Sequence, residues 1–375
     1  MKLGRLLFFC NTRIPSEKAN AKQIANMCEN FPKHTEFIFI TPSRYQSNEN
    51  LKETSYKEFY GFQKPLHKEI QFFDELHPFV RKLKLSRFIL ILRSIYNAIW
   101  LNLFKAKDDI IYTREILVAL MLFKMGAKVV YEAHQIDGQI SGQAFSKIKK
   151  IFGAEVFNLP VISIGANLQK KYISLGFKKV EVAHNAASIQ KSSSYDHQSN
   201  FDALYTGHLY KEKGFDLVLE AARDLPHIKF AVVGGLKEDI NFYKKIAQTK
   251  NVHNLHFFGY VNPNKVMDFQ VSAKCLLLPQ KDETAESPLK LFEYMASKVP
   301  IVASGTQPIR EILNHENSYL FEPKDLESFK AQIVKCLKEE AESQKIANNA
   351  YLEFKEKYTW ERRAKKVIDL IREKF

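Results

Sequence analysis

Glu286-Ser-Pro-Leu-Lys-Leu-Phe-Glu-Tyr-Met-Ala-Ser297, continued by Lys298-Val-Pro-Ile-Val-Ala-Ser304, holds a phosphate cradle, a helix and a strand in one short stretch. Ser287 and Pro288 read as N-cap and first helical residue. The backbone N–H groups of Leu289 and Lys290 then point outward at the positive end of the helix dipole, which is a place for an anion. Leu289, Phe292 and Met295 recur on one apolar face, leaving Glu293 one turn into the helix on the cradle side. A phosphate repels a carboxylate, so the expected partner of Glu293 is a neutral hydroxyl pair such as a ribose diol. Together these residues describe a nucleotide-diphosphate site.

Outward from this stretch, apolar runs bounded by turn residues alternate with helical periods, the pattern of βα units and parallel sheets. Strands are expected at 6–10, 36–40, 110–112, 128–131, 161–164 and 180–182, and again at 203–206, 229–233, 255–258, 275–278 and 301–303. The 375 residues suit two doubly wound α/β domains. A polar, serine-rich stretch from Ala183 to Asn200 reads as the linker between them. The expected division is therefore 1–190, 191–358, and a C-terminal amphipathic helix over 359–375 that opens at Thr359.

Composition is that of a soluble globular protein, with 45% hydrophobic and 26% charged residues. Cys10, Cys28, Cys275 and Cys336 are scattered without metal-ligand spacing, and a reducing cytoplasm is the simplest compartment. The apolar run near the N-terminus is short for a signal peptide and reads as a first buried strand. The net charge of +14 is uneven. Residues 1–190 carry 28 Lys and Arg against 16 Asp and Glu, whereas the remainder carry 28 against 26. A basic first half points to an anionic partner, and the lack of any nucleic-acid-binding pattern favours an acidic membrane surface over DNA or RNA.

Five further stretches lie at strand ends, where ligands bind in open parallel sheets. Leu204-Tyr-Thr-Gly-His-Leu-Tyr-Lys-Glu-Lys-Gly214 is a strand leading into a glycine turn, and Val232-Val-Gly-Gly235 ends another strand in glycines that permit close ligand approach. Asp109-Ile-Ile-Tyr-Thr-Arg-Glu115 ends in Arg114, and Val129-Val-Tyr-Glu-Ala-His134 ends in His134. Asn11-Thr-Arg-Ile-Pro-Ser-Glu-Lys18 follows the first strand with a charged loop.

In these residues the chain resembles the family-four retaining glycosyltransferases. The resemblance implies a GT-B fold: two Rossmann-like domains facing across a cleft, with the C-terminal helix crossing back to the first. Glu293 matches the second glutamate of the family's E-x7-E motif, while the first falls at Ala285, so Glu286 or Glu283 takes its place from a shifted loop or that contact is absent. Gly207, Lys213 and Gly214 fit the spacing of G-R-x-x-x-x-K-G, with His208 at the arginine position. Lys213 is thereby implied to neutralise the departing diphosphate. Gly234 and Val261, the latter in Phe258-Gly-Tyr-Val261, correspond to backbone around the nucleotide. His134 falls near the donor sugar and the reacting centre. Arg13, Lys18 and Arg114, with Glu17, are implied as acceptor-side or cleft contacts.

The activity so implied is metal-independent transfer of a hexosyl or related group, with retention, from a nucleoside-diphosphate sugar to a hydroxyl of a glycan or lipid-linked glycan in bacterial surface polysaccharide synthesis. No cofactor is expected. A sugar-nucleotide epimerase of the same fold, or a non-catalytic partner subunit, are the alternatives. The segment Arg81–Phe104, basic and then strongly apolar, reads either as a face laid on acidic lipid or as a helix buried against the first sheet, and is too interrupted to span a bilayer.

Overall fold

Among the described residues, thirteen parallel strands, most of them short aliphatic and aromatic runs with both faces buried, form two sheets. The computed structural model describes residues 4–14, 16, 19–43, 66–72, 82, 86–135, 143–189, 201–262, 265–281 and 287–375. The chain divides into Met1–His184 with Trp360–Phe375, and Asn185–Thr359.

In the first unit, β1 (Leu6–Phe9), β2 (Phe37–Pro42), β3 (Leu66–Ile70), β4 (Ile110–Thr113), β5 (Val129–Ala133), β6 (Val161–Ser163) and β7 (Val180–Val182) lie in the order β3-β2-β1-β4-β5-β6-β7. The described helices between them are α1 (Ala19–Asn30), α2 (Ser86–Phe104), α3 (Ile116–Lys124), α4 (Gln143–Phe152) and α5 (Ala166–Ser174). The strand order reverses between β1 and β4, so the loops bearing Arg13 and Arg114 open at the switch point, where such sheets bind ligands.

In the second unit, β8 (Phe201–Thr206), β9 (Phe230–Val233), β10 (Leu255–Gly259), β11 (Ala273–Leu278), β12 (Ile301–Ser304) and β13 (Tyr319–Phe321) are ordered β10-β9-β8-β11-β12-β13. They are interleaved with α6 (Phe215–Asp224), α7 (Lys237–Thr249), α8 (Val266–Val271), α9 (Leu289–Ser297) and α10 (Gln307–Arg310), and followed by α11 (Leu326–Lys338) and α12 (Glu340–Lys357). Here the switch lies between β8 and β11. The turn holding Lys213 and the loop entering α9 leave from those two strands.

Eleven strands fall where the apolar runs predict them. The two that escape prediction, β3 and β13, are both at sheet edges. β3 carries exposed Lys68 and Glu69 between its apolar ends, because an edge strand is not sandwiched as a central one is.

The C-terminal helix α13 (Trp360–Lys374) packs on α1, burying Trp360, Ala364, Val367, Ile368 and Ile371 in the first unit. Helix α2 has its polarity reversed. Arg93, Ser94 and Asn97 are buried with Ala98 and Leu101, while Phe88, Ile91, Leu92, Ile95, Tyr96, Ile99 and Leu103 are exposed, Leu103 by 79%. Their spacing of three and four residues puts them along one side of the helix. Among the described residues no helix is long and apolar enough to cross a membrane.

Candidate functional site

The second unit's site is built on glycine. Gly207 ends β8 at φ 123° and donates its N–H to the Val233 carbonyl at 2.8 Å. Gly234, at φ 106°, donates to the Gly259 carbonyl at 2.7 Å, and a Cβ there would lie 2.6 Å from the Gly207 oxygen. The two strand ends abut through backbone, as the Val232–Gly235 stretch suggested. The chain then makes one turn of 3₁₀ helix over Lys211–Lys213 and reverses at Gly214, φ 75°, where a Cβ would lie 1.8 Å from the Pro279 carbonyl oxygen. Only glycine permits that contact, which holds the Lys213 turn against the end of β11. The Lys213 ammonium is half-buried, 3.5 Å from Oε1 of the buried Gln280. His208 is exposed and stacks flat on Tyr210, ring centroids 5.0 Å apart.

Helix α9 begins one residue later than expected. Ser287 is not its N-cap: it sits at φ 44° with its hydroxyl accepting the Asn185 N–H at 2.9 Å and its carbonyl accepting Asn185 Nδ2 at 2.7 Å. With Ser287 tied to the start of the unit, Pro288 becomes the cap, and the Leu291 N–H turns back to the Pro288 carbonyl at 3.0 Å. Leu289 and Lys290 remain the residues whose amide groups open the helix. The buried face also shifts from the predicted one, centring on Leu291, Phe292, Tyr294 and Met295, with Leu289 half-buried. Tyr294 explains the tyrosine of Phe-Glu-Tyr-Met-Ala. Its hydroxyl accepts the Thr206 N–H at 3.0 Å and donates to the Leu277 carbonyl at 3.3 Å, tying α9 to the ends of β8 and β11.

The Lys290 side chain lies over the Tyr205 ring, Nζ 4.5 Å from its centroid, and a Cβ on Gly207 would come within 2.1 Å of that nitrogen. Burial, reinforced by Lys213 and opposed by Glu293, lowers its ammonium to about 7. The sequence reading assigned Lys290 a role only through its backbone. A lysine in the first turn, three residues before Glu293, was the available signal. Glu293 is half-buried on the same helix, Val261 packs at the edge of the unit's core, and Glu286 and Glu283 lie outside the described residues.

The first unit gathers its own buried charges. Glu132, on β5, is 2% exposed and meets Arg363 Nη2 of α13, Arg114 Nε at 3.5 Å and His134 Nε2 at 3.3 Å. Burial alone would raise the Glu132 carboxyl, but Arg363, His134 and Arg114 hold it well below the ordinary range. Burial, with Arg114 adding to it and Glu132 opposing it, lowers His134 to about 4, so this imidazole is neutral near pH 7. Arg114 also donates to Gln23 Oε1 at 2.8 Å and is turned into this cluster. Arg363 further donates to the His184 carbonyl at 3.0 Å. It falls on the apolar stripe of the last helix with Trp360, Ala364 and Val367, a pattern that marks a buried charge in need of a partner. Arg13 is half-buried in the loop after β1, and Glu17 and Lys18 lie outside the described residues.

Two all-parallel Rossmann-like sheets, one with a helix N-terminus and a lysine turn at its switch point, define a GT-B protein. Residues 188–353, in the second unit, match the family model for glycosyl transferases group 1. It is similar to an uncharacterised glycosyltransferase of Methanocaldococcus jannaschii, 23% identical over 244 residues, 64% of this chain. That match spans 60% of the archaeal protein's length. Among solved structures, Anabaena Alr3699/HepE in complex with UDP superposes with a TM-score of 0.72 at 16% identity, covering 100% of both chains. An S. aureus TarM mutant in complex with Fondaparinux, alpha-GlcNAc-glycerol and UDP superposes with a TM-score of 0.70 at 14% identity, covering 99% of this chain and 100% of its own.

Proposed function

We propose that this protein is a retaining, metal-independent glycosyltransferase that moves a hexosyl or related group from a nucleoside-diphosphate sugar to a hydroxyl of a glycan or lipid-linked glycan, in bacterial surface polysaccharide synthesis. The observation that carries the reading is the Lys213 turn, locked by the Gly214–Pro279 contact at the same switch point as the N-terminus of α9. The diphosphate takes the amide end of α9 and the Lys213 ammonium, which supply positive charge without a metal. Glu293 accepts the ribose hydroxyls. As the anomeric carbon–oxygen bond breaks, its electron pair leaves on the phosphate oxygen. The acceptor oxygen bonds to that carbon on the same face, and its proton passes to the departing phosphate oxygen. Neutral His134 is a hydrogen-bonding group for the sugar rather than a second cation. The UDP and glycan ligands of the Anabaena and S. aureus proteins support a nucleotide-sugar donor and a glycan acceptor. A thermal-shift screen across nucleoside-diphosphate sugars tests this, since a ligand bound by the folded state raises its apparent stability. Failure of every donor to raise the melting temperature would refute it.

The same reading places the protein in the cytoplasm, with its first unit resting on the anionic inner face of the membrane. Support comes from the outward apolar side of α2, with Arg81, Lys82 and Lys84 before it in the sequence and Arg87 in its first turn.

A further inference from the structure

We propose that Lys290 is a second diphosphate-binding cation of the donor site, its ammonium taking a phosphate oxygen beside Lys213. The inference rests on the donor-site reading above and adds a residue that the motif spacing does not supply. At the arginine position of the motif stands His208, which is exposed and stacked on Tyr210. Lys290 instead brings an ammonium to the place where β8 ends in Gly207, so close that any side chain there would strike it. It lies on the Tyr205 ring and makes no hydrogen bond to a described residue. The charged groups that bear on it are Glu293 on its own helix and Lys213 from the turn after β8. Tyr205, beneath it, is buried and its hydroxyl is committed to the His208 carbonyl. A cation so placed, pushed by a second lysine, is opposed by the half-buried Glu293 alone among the groups that bear on it, and a diphosphate would supply further counter-charge.

Lys290 titrates at about 7 without ligand, from burial and then the Lys213 repulsion, so part of the population is neutral above that pH. A bound diphosphate favours the charged form and draws a proton in. UDP, with GDP and ADP in parallel, is titrated calorimetrically into the full chain at about pH 8, where the diphosphate is already ionised, in buffers of differing ionisation enthalpy. The expected result is net proton uptake by the unaltered chain, and none by Lys290→Met or Lys290→Arg, since arginine stays charged. Lys290→Met should also weaken binding by about ten- to a hundredfold, the worth of one hydrogen bond to a charged group. If Lys290→Met fails to fold, Lys290→Gln serves in its place. Equal affinity and equal proton uptake in the variant would overturn the role of Lys290 while leaving the donor site standing. Absence of binding by all three nucleotides to the unaltered chain would overturn the donor site itself.

Discussion

Arg363→Ala should destabilise the first unit far more than the loss of a surface arginine would. Arg363 and Glu132 are each 2% exposed, and the guanidinium lies against the carboxylate. Truncating it leaves a buried carboxylate beside Arg114 at 3.5 Å and a histidine that, lowered to about 4, is neutral. Breaking a buried pair from one side costs about 3–5 kcal/mol. For a unit of this size that is a fall of roughly 6–20 °C in melting temperature. The pH dependence identifies the cause. Glu132 is depressed when folded, so its contribution is present above the unfolded glutamate value of about 4.3 and is lost as pH falls through the lower folded value. In Arg363→Ala burial pushes the carboxyl back up, so the gap between variant and unaltered protein should narrow as pH falls below about 5. Calorimetric scans at about pH 7 and about pH 4 measure both quantities. A melting temperature unchanged at neutral pH, or a gap that persists undiminished in acid, would refute the assignment of Arg363 as the chief partner of Glu132. The double variant Glu132→Gln, Arg363→Met should recover much of the loss, because no unpaired charge then remains buried.

Lys213→Ala should lower turnover by about two to three orders of magnitude at saturating donor, the effect of losing one preorganised charge stabiliser; near-normal turnover removes Lys213 from the mechanism. Glu293→Gln should weaken the sugar donor and the free nucleoside diphosphate alike, by loss of charge-assisted acceptance from the ribose. A variant in which only the sugar-bearing donor binds less well would move Glu293 to the sugar. Full-length protein should sediment with anionic vesicles in low salt and be released as salt rises, since each basic residue at such a surface contributes about 1 kcal/mol. Neutralising Arg81, Lys82, Lys84 and Arg87 together, or replacing Phe88, Ile95 and Leu103 by serine, should each weaken that binding. Equal association with neutral and anionic vesicles counts against the membrane reading.

What was legible in the sequence was what local pattern encodes. The central strands are continuous apolar runs because both their faces are covered, so β1, β4, β5, β8 and β11 stood out, and with them the doubly wound class. The helix start near Ser287 and the Lys213–Gly214 turn were legible because each is a short, contiguous piece of backbone, though the helix opens one residue later than the sequence suggests. Strands β3 and β13 were not: exposed Lys68 and Glu69 break the apolar pattern of β3, and β13 is only three residues long. Nor did the sequence order disclose that Asn185 fixes Ser287 from 102 positions away, or that Arg363 reaches Glu132 across 231. The α2 segment was read correctly as apolar, yet which way its polarity faced was decided by packing that buried Arg93 and Asn97. Lys290 shows the division most plainly. Its backbone role follows from its place in a helix, which the chain determines locally, whereas the depressed ammonium over Tyr205 exists only because folding desolvates it beside Lys213.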